Sequence, residues 1–366
     1  MRIPAMAAAG GLAVVLCGCG GPSVRQQTSV DTAMGTIVSQ TLYVEEADGT
    51  DREAAPESTM ESACATVMEI VKELEQRELS WRIEGSEVAR INGLADERDS
   101  EEGQSPGQEK GIAVSVSPPM RDILTQIWQV SEDSGGALDV TLGRLSRLWN
   151  LDGREESGDG TAFSGVPADG QIQAALDQTG YGRVGFWEDG ITLPPGMQLD
   201  LGAVGKGIAC DRIRAYLLSQ PQITGAVVAV GGSVVTYGQK SDGSPWKVAI
   251  VHPREEGNYL GLLSLTGEQF VSTSGDYERY VMVDGVRYHH ILDPATGYPA
   301  CSDLCSVTVV CGSGLLADAL STACFVLGSE QGMGLAEIYG AEALLVEEDG
   351  TMHMTEGMKM IFSALE

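Results

Sequence analysis

Between residues 225 and 311 the chain strings together short apolar runs: 225–230, 233–237, 246–251, 260–265, 269–273, 279–284 and 304–311. Glycine or aspartate stands in the turn between many of them. Strands this short, joined this tightly, predict antiparallel neighbours. Helical patterns bracket the run. Met60, Cys64, Val67, Val71 and Leu74 recur at helical spacing over 60–79, with acids on the other face. Ile123, Leu124, Ile127 and Trp128 do the same over 119–133. Further helices are expected from about Leu142 to Trp149, from Ile172 to Leu176, from Gly205 to Leu218, and over 315–326 and 330–339. Strands are expected from Thr32 to Val44, from Ile112 to Val116, over 342–347 and over 358–362. Two polar, acidic stretches, 98–110 and 152–165, read as surface loops. Strands and helices mix without strict βαβ alternation, so the class is α+β, with mixed or antiparallel sheets and flanking helices. No internal repeat is present.

The chain has 366 residues, 43% hydrophobic and 20% charged, which suits one large globular domain or two lobes. Acidic residues number 52 against 23 basic, a formal net charge of −29. Such a field repels nucleic acid, anionic lipid head groups and phosphorylated small molecules alike. A nucleic-acid partner is therefore not expected, and any phosphate ligand needs a metal ion or a local basic group to offset the repulsion. The N-terminus reads as an export signal: Met1-Arg2, then an apolar run from Ile3 to Leu16 that is too short to span a bilayer. Its end, Leu16-Cys17-Gly18-Cys19, resembles a bacterial lipobox, in which Cys19 becomes the lipidated first residue of the mature chain. An ordinary cleaved signal is the alternative. The expected organisation is a signal over 1–18, a lipidated tether over 19–31 that is flexible at 20–29, and a domain over 32–366. The expected location is the extracytoplasmic face of the cell membrane. The six other cysteines fall at no zinc spacing.

Several segments carry chemistry. Asp318 and Thr322 are four apart, one turn on the same face if helical. A carboxylate and a hydroxyl together are hard oxygen ligands suited to Mg²⁺. Equally, Asp318 caps a helix and Thr322 packs. Asp200 through Gly207 is a Gly-rich turn entering a helix, where Lys206 could neutralise a phosphate or fix Asp200. It is not a Walker loop, because Gly207 follows Lys206. Ser134-Gly135-Gly136-Ala137-Leu138-Asp139 is a tight turn ending in a carboxylate that could accept ligand N–H groups or cap the following helix. Phe270 to Arg279 is a run of small hydroxyl residues closed by a basic one. His289 and His290 precede a turn built on Asp293 and Pro294.

Taken in order, these segments resemble the FAD:protein FMN transferases of the ApbE family. The matching pieces are Met34-Gly35-Thr36, Ser80 with Ser86 through Asn92, Gly136 through Thr141, and Asp200 through Gly207. They continue with Gly231-Gly232, Thr273 through Tyr277, His290 through Gly297, and Asp318 through Thr322. The resemblance implies a two-lobed fold with the FAD site between the lobes. It implies an enzyme that binds FAD with Mg²⁺, cleaves the pyrophosphate and attaches FMN through a phosphoester to a Thr or Ser of an acceptor protein. Acceptors would be redox-pump subunits or exported flavoproteins. By the same resemblance Asp318, Thr322 and the Ala203 carbonyl would hold Mg²⁺, with Ser321 assisting. Met34, Ala137, Leu138, Asp139, Asp200, Lys206 and the backbone at Leu292 would contact FAD. His290 would be the base. The chemistry agrees: a hydroxyl nucleophile needs a base, and a pyrophosphate leaving group needs its charge neutralised.

Two positions depart from the family pattern. Arg82 stands where the family often carries a Tyr that stacks on the flavin, and Trp81 is adjacent; either could stack. Ser233 follows the Gly-Gly element where Asn or Asp is common, implying one weaker polar contact. An FAD pyrophosphatase releasing FMN and AMP, and a non-catalytic flavin-binding lipoprotein, are the competing readings.

Overall fold

The computed structural model describes residues 24–45, 56–101, 111–151 and 165–365. The signal over 1–18, Cys19, and most of the two acidic loops (102–110 and 152–164) lie outside the described residues. In chain order the first half forms β1 (Val24–Ala33), β2 (Thr36–Glu45), α1 (Pro56–Leu74) continued by a π-helical turn (Glu75–Leu79), α2 (Glu87–Glu101), β3 (Ile112–Ser115), α3 (Pro118–Asp133), α4 (Gly143–Trp149), α5 (Asp169–Leu176), β4 (Gly185–Trp187) and β5 (Gly190–Leu193). Then come α6 (Gly205–Leu218), β6 (Ile223–Val230), β7 (Ser233–Gly238), β8 (Trp246–Val251), β9 (Tyr259–Leu265), β10 (Gln269–Gly275), β11 (Tyr280–Val283), β12 (Val286–His289) and β13 (Leu304–Cys311). The chain closes with α7 (Gly314–Leu327), α8 (Ser329–Ile338), β14 (Glu342–Glu347), β15 (Met352–Met354), α9 (Glu356–Ile361) and β16 (Phe362–Ala364).

The architecture is α+β, as the turn-separated strands predict. Eight strands form one sheet in the order β1-β2-β6-β7-β10-β13-β14-β15, with each neighbouring pair antiparallel. Successive residues of a strand point to opposite faces, and β7 shows the consequence. Val235 enters a large core with Val67 and Val71 of α1, Ile208 and Ile213 of α6, and Leu320 and Phe325 of α7. Val234 enters a smaller core on the other face, with Val248 and Ile250 of β8, Leu263 of β9 and Met358 of α9. A third cluster joins α4, α5 and β11 through Leu145, Trp149, Ile172 and Val281. Among the described residues no helix is long and apolar enough to cross a membrane.

The structure departs from the sequence expectations at several places. The flexible tether expected over 20–29 is strand β1 from Val24 onward, paired with β2 from Val24–Glu45 to Ala33–Thr36. Its sequence is polar because β1 is the sheet edge and mostly solvent-facing, so backbone pairing rather than an apolar face holds it. The single strand expected from Thr32 to Val44 is broken at Met34-Gly35, whose φ values of 52° and 63° make a two-residue hairpin turn. The loop expected from 98 begins later, since α2 runs to Glu101. The strand expected over 358–362 is mostly helix α9: Thr355 caps it by accepting from the Met358 N–H, and buried Met358 anchors it. The short strands β4, β5, β12 and β15 carry too few residues to show a period.

Candidate active site

The most constructed part of the molecule is the corner where α6 meets α7. The two helices touch backbone to backbone at Gly207 and Gly314: a Cβ on Gly207 would lie 2.0 Å from the Gly314 carbonyl oxygen, and one on Gly314 would lie 2.2 Å from that of Gly207. Any side chain at either position would push the helices apart. This approach brings Asp318 of α7 against the first turn of α6, where the Gly207 N–H donates to Asp318 Oδ2 at 2.8 Å. Ser233 Oγ donates to Oδ1 at 3.1 Å, and Ser272 Oγ donates to the same oxygen. Ser233, which stands where the family commonly has Asn or Asp, is here a direct hydroxyl partner of Asp318. Asp318 is only 3% exposed. It accepts from three neutral donors and forms no ion pair among the described residues.

Ser321 and Thr322 follow on the same helix. Thr322 lines a cleft together with Asp318 and Ala203, whereas Ser321 does not reach it. Ser321 is fully buried; its hydroxyl donates to the Asp318 carbonyl at 3.0 Å and meets Ser274 Oγ at 2.9 Å. Ser274 also lies 3.3 Å from Thr322 Oγ1. Ser321 therefore braces the helix turn that carries the two cleft-facing oxygens.

From this corner the cleft runs between the helical layer and the α4 cluster. Its walls include Met34, Trp81, Arg82, Ala137, Leu138, Asp139, Asp200, Ala203, Lys206, His290, Leu292, Asp318 and Thr322. Local structure explains how several arrive there. Met34 holds a positive φ at the hairpin tip, an uncommon state for a non-glycine residue. Its N–H donates to Glu75 Oε2 at 2.9 Å. Asn92 clamps the segment before Asp200 with both amide atoms, donating to the Leu199 carbonyl at 2.8 Å and accepting its N–H at 2.7 Å. Asp200 turns its Oδ1 onto the Gly202 N–H at 2.9 Å, closing the Gly-rich turn.

Asp139 neither caps α4 nor stands free. Its two oxygens accept the N–H groups of Thr141 at 2.7 Å and Tyr181 at 2.9 Å, so it ties two loops together at the cleft wall. Burial raises its carboxyl above the usual range, and these hydrogen bonds pull the other way. The neighbouring histidines divide. His289 is buried, gives Nε2–H to the Ala300 carbonyl at 2.9 Å and sits edge-on to Phe325; burial lowers its pKa. His290 lines the cleft, with its N–H on the Arg279 carbonyl at 3.1 Å and its Nδ1 3.3 Å from the same oxygen. A carbonyl only accepts, so Nδ1 carries a proton in this contact.

At the far rim two guanidinium groups lie over the Trp81 ring. The Arg82 guanidinium lies 4.0 Å from its ring centroid and that of Arg147 lies 4.7 Å away. Sequence reasoning did not single out Arg147. It also did not single out Glu278, which lines the cleft and feels the charges of Lys206, Arg279 and Asp318. Ser272 was visible only as one hydroxyl in a hydroxyl-rich run; its pairing with Asp318 depends on strand register. Among the described residues no cluster of three or more His, Cys, Asp or Glu could hold a metal ion. A cation here would rest on one carboxylate supplemented by hydroxyl, carbonyl and outside oxygens.

Comparison with known proteins places this geometry. The family model described as ApbE family matches residues 34–345. A Treponema pallidum FAD:protein FMN transferase is 32% identical over 373 aligned residues, covering 95% of this chain and 93% of the relative. A Vibrio cholerae protein of the same description is 35% identical over 235 residues, covering 63% of this chain and 68% of the relative. The Thermotoga maritima ApbE protein superposes with a TM-score of 0.74 at 32% identity, covering 92% of this chain and 99% of that one. Pseudomonas stutzeri flavinyl transferase ApbE superposes with a TM-score of 0.75 at 29% identity, covering 96% and 100%. The chain belongs to the ApbE family.

Proposed function

We propose that the protein is a Mg²⁺-dependent FAD:protein FMN transferase that attaches FMN through a phosphoester to a Thr or Ser hydroxyl of an acceptor flavoprotein. One observation carries the reading. Residues from Met34 to Thr322, far apart in sequence, converge on a single cleft whose corner holds a buried carboxylate with only neutral partners. Buried carboxylates are ordinarily paired or bound to metal, so this one fits a cation. Asp318, the Thr322 hydroxyl and the Ala203 carbonyl would hold Mg²⁺, leaving positions for water and phosphate oxygens. When bound, the ion would neutralise charge on the pyrophosphate and its leaving group.

The remaining residues divide the work. Lys206, in the first turn of α6, adds positive charge beside the phosphates, and the helix N-terminus favours the same anion. Met34, Ala137, Leu138 and Leu292 supply apolar wall, while Arg82 and Arg147 on Trp81 supply a cationic rim. His290 Nε2 takes the proton of the acceptor hydroxyl. The hydroxyl oxygen forms a bond to the FMN phosphorus, the bond from that phosphorus to the bridging oxygen breaks, and AMP departs with that oxygen. The acceptors are of the redox-pump or exported flavoprotein kind. The enzyme reaches them from the extracytoplasmic face of the membrane, anchored through Cys19.

The test is to incubate the soluble part with FAD, MgCl2 and a Thr-bearing acceptor, and to look for a fluorescent protein band and a mass gain of one FMN. Omission of MgCl2 or addition of EDTA should abolish the band. Release of FMN and AMP at equal rates with and without acceptor, and no adduct, would make the protein a pyrophosphatase instead.

A further inference from the structure

We infer that a second cleft, running along the free edge of β8, receives an extended segment of the acceptor protein; this rests on the transferase reading above. Val248, Ala249, Ile250 and Val251 all line this cleft. Side chains of consecutive strand residues alternate between faces, and β8 alternates buried and exposed along its length. A cleft that touches four residues in a row must therefore follow the strand's backbone edge. β8 is the last strand of its sheet, in the order β16-β9-β8. Such an edge offers N–H and C=O groups that an added strand can satisfy.

Two hairpin turns, at Gly35-Thr36 and Gly231-Gly232, line it as well, beside Tyr277, Glu278 and Arg279. These turns pack too closely for larger residues. A Cβ on Gly231 would lie 2.6 Å from Thr36 Oγ1, and one on Gly232 would lie 2.9 Å from Glu278 Oε1. Recognition here would come mainly from main-chain hydrogen bonds, with small or apolar side chains over Ala249 and the 45% exposed Val251.

Continuity with the first cleft identifies the occupant. Lys206, Thr273, Glu278 and Arg279 line both clefts. Arg279 is also the residue whose carbonyl fixes His290. The dinucleotide fills the first cleft, so the hydroxyl must enter by a route contiguous with its phosphates but not occupied by it. A chain extended along β8 reaches that junction with its Ser or Thr beside the base. A second copy of this protein is a poor occupant, because each carries a net charge of −29.

The test uses Ala249→Trp, which fills the cleft, and Val251→Lys, a milder change at an exposed position. Neither residue lines the first cleft. For both variants, FAD affinity and acceptor-free release of FMN and AMP should match wild type, which also certifies folding. Transfer to an acceptor that wild type labels should fall about tenfold or more through a raised KM for acceptor, as for loss of a central contact. Hydrogen exchange of the amides at 246–251 should slow when wild type binds that acceptor with its reactive Thr changed to Ala. Unchanged transfer by both variants, or unchanged exchange, overturns the inference. Concentration-dependent protection without acceptor would assign the edge to a second copy and also overturn it. If wild type labels no acceptor at all, the transferase reading itself falls and takes this inference with it.

Discussion

The two ends of the candidate active-site cleft are held by opposite means. At the α6–α7 corner, Asp318 is almost wholly buried, gripped by two serine hydroxyls and a backbone N–H, and positioned by a glycine-to-glycine helix contact that admits no side chain. At the rim, Trp81 is half-buried and dressed by the long side chains of Arg82 and Arg147, both exposed residues. A buried charge with preorganised partners acts through placement, and sub-ångström errors are costly there. An exposed guanidinium on an aromatic ring adds attraction that is graded and tolerant. The corner should therefore govern the chemical step and the rim the grip on the dinucleotide.

That contrast can be broken or sharpened experimentally. Asp318→Ala should lower FMN transfer by roughly 10²–10³-fold, the loss expected on deleting one preorganised electrostatic group. Initial rates across a MgCl2 series measure it, and a variant at wild-type rate would erase the distinction between the two ends. Gly207→Ala should cost about 1–3 kcal/mol of stability by overpacking the helix contact, read from urea unfolding. Transfer should fall with it, because the Gly207 N–H to Asp318 bond must shift; an unchanged midpoint would show that the helices separate freely. Arg82→Ala should weaken FAD binding by about 0.5–1 kcal/mol, roughly two- to fivefold, with kcat kept. Calorimetric titration decides this, and a kcat loss larger than the affinity loss would move Arg82 to the chemical step.

The smallest effect separates the paired histidines. Burial keeps His289 neutral below its ordinary 6.5, so the folded state binds fewer protons than the unfolded chain as pH falls. Its contribution is present above pH 6.5 and is lost as pH drops through the lowered folded pKa. His289→Gln keeps an N–H for the Ala300 carbonyl and should flatten that acid limb by less than about 0.8 kcal/mol at pH 6. Unfolding midpoints measured from pH 5 to 7 test it. An identical slope in wild type and variant would mean that His289 takes up its proton without strain.

Much of the fold was legible because it is local. Helix α6 occupies the span expected for it, and strands β6 to β10 fall within two residues of the expected runs, since turn glycines and alternating apolar residues report themselves in sequence. The edge strand β1 was not legible, because its partner is chosen by backbone pairing and its side chains face water. The strand expected over 358–362 failed for a related reason: a threonine cap at Thr355 outweighed a short apolar alternation.

The same divide runs through the site. Sequence alone singled out residue types suited to the proposed chemistry (Asp318 with Thr322, Lys206 in a Gly-rich helix start, His290 before its turn), because each sits in a short motif readable in place. Only the tertiary structure decided that Asp139 spends its oxygens on its own loops, and that Ser233 and Ser272 hold Asp318. Those outcomes depend on strand register and on two glycines that let helices touch. Both bring together atoms far apart along the chain, and no local pattern encodes that distance.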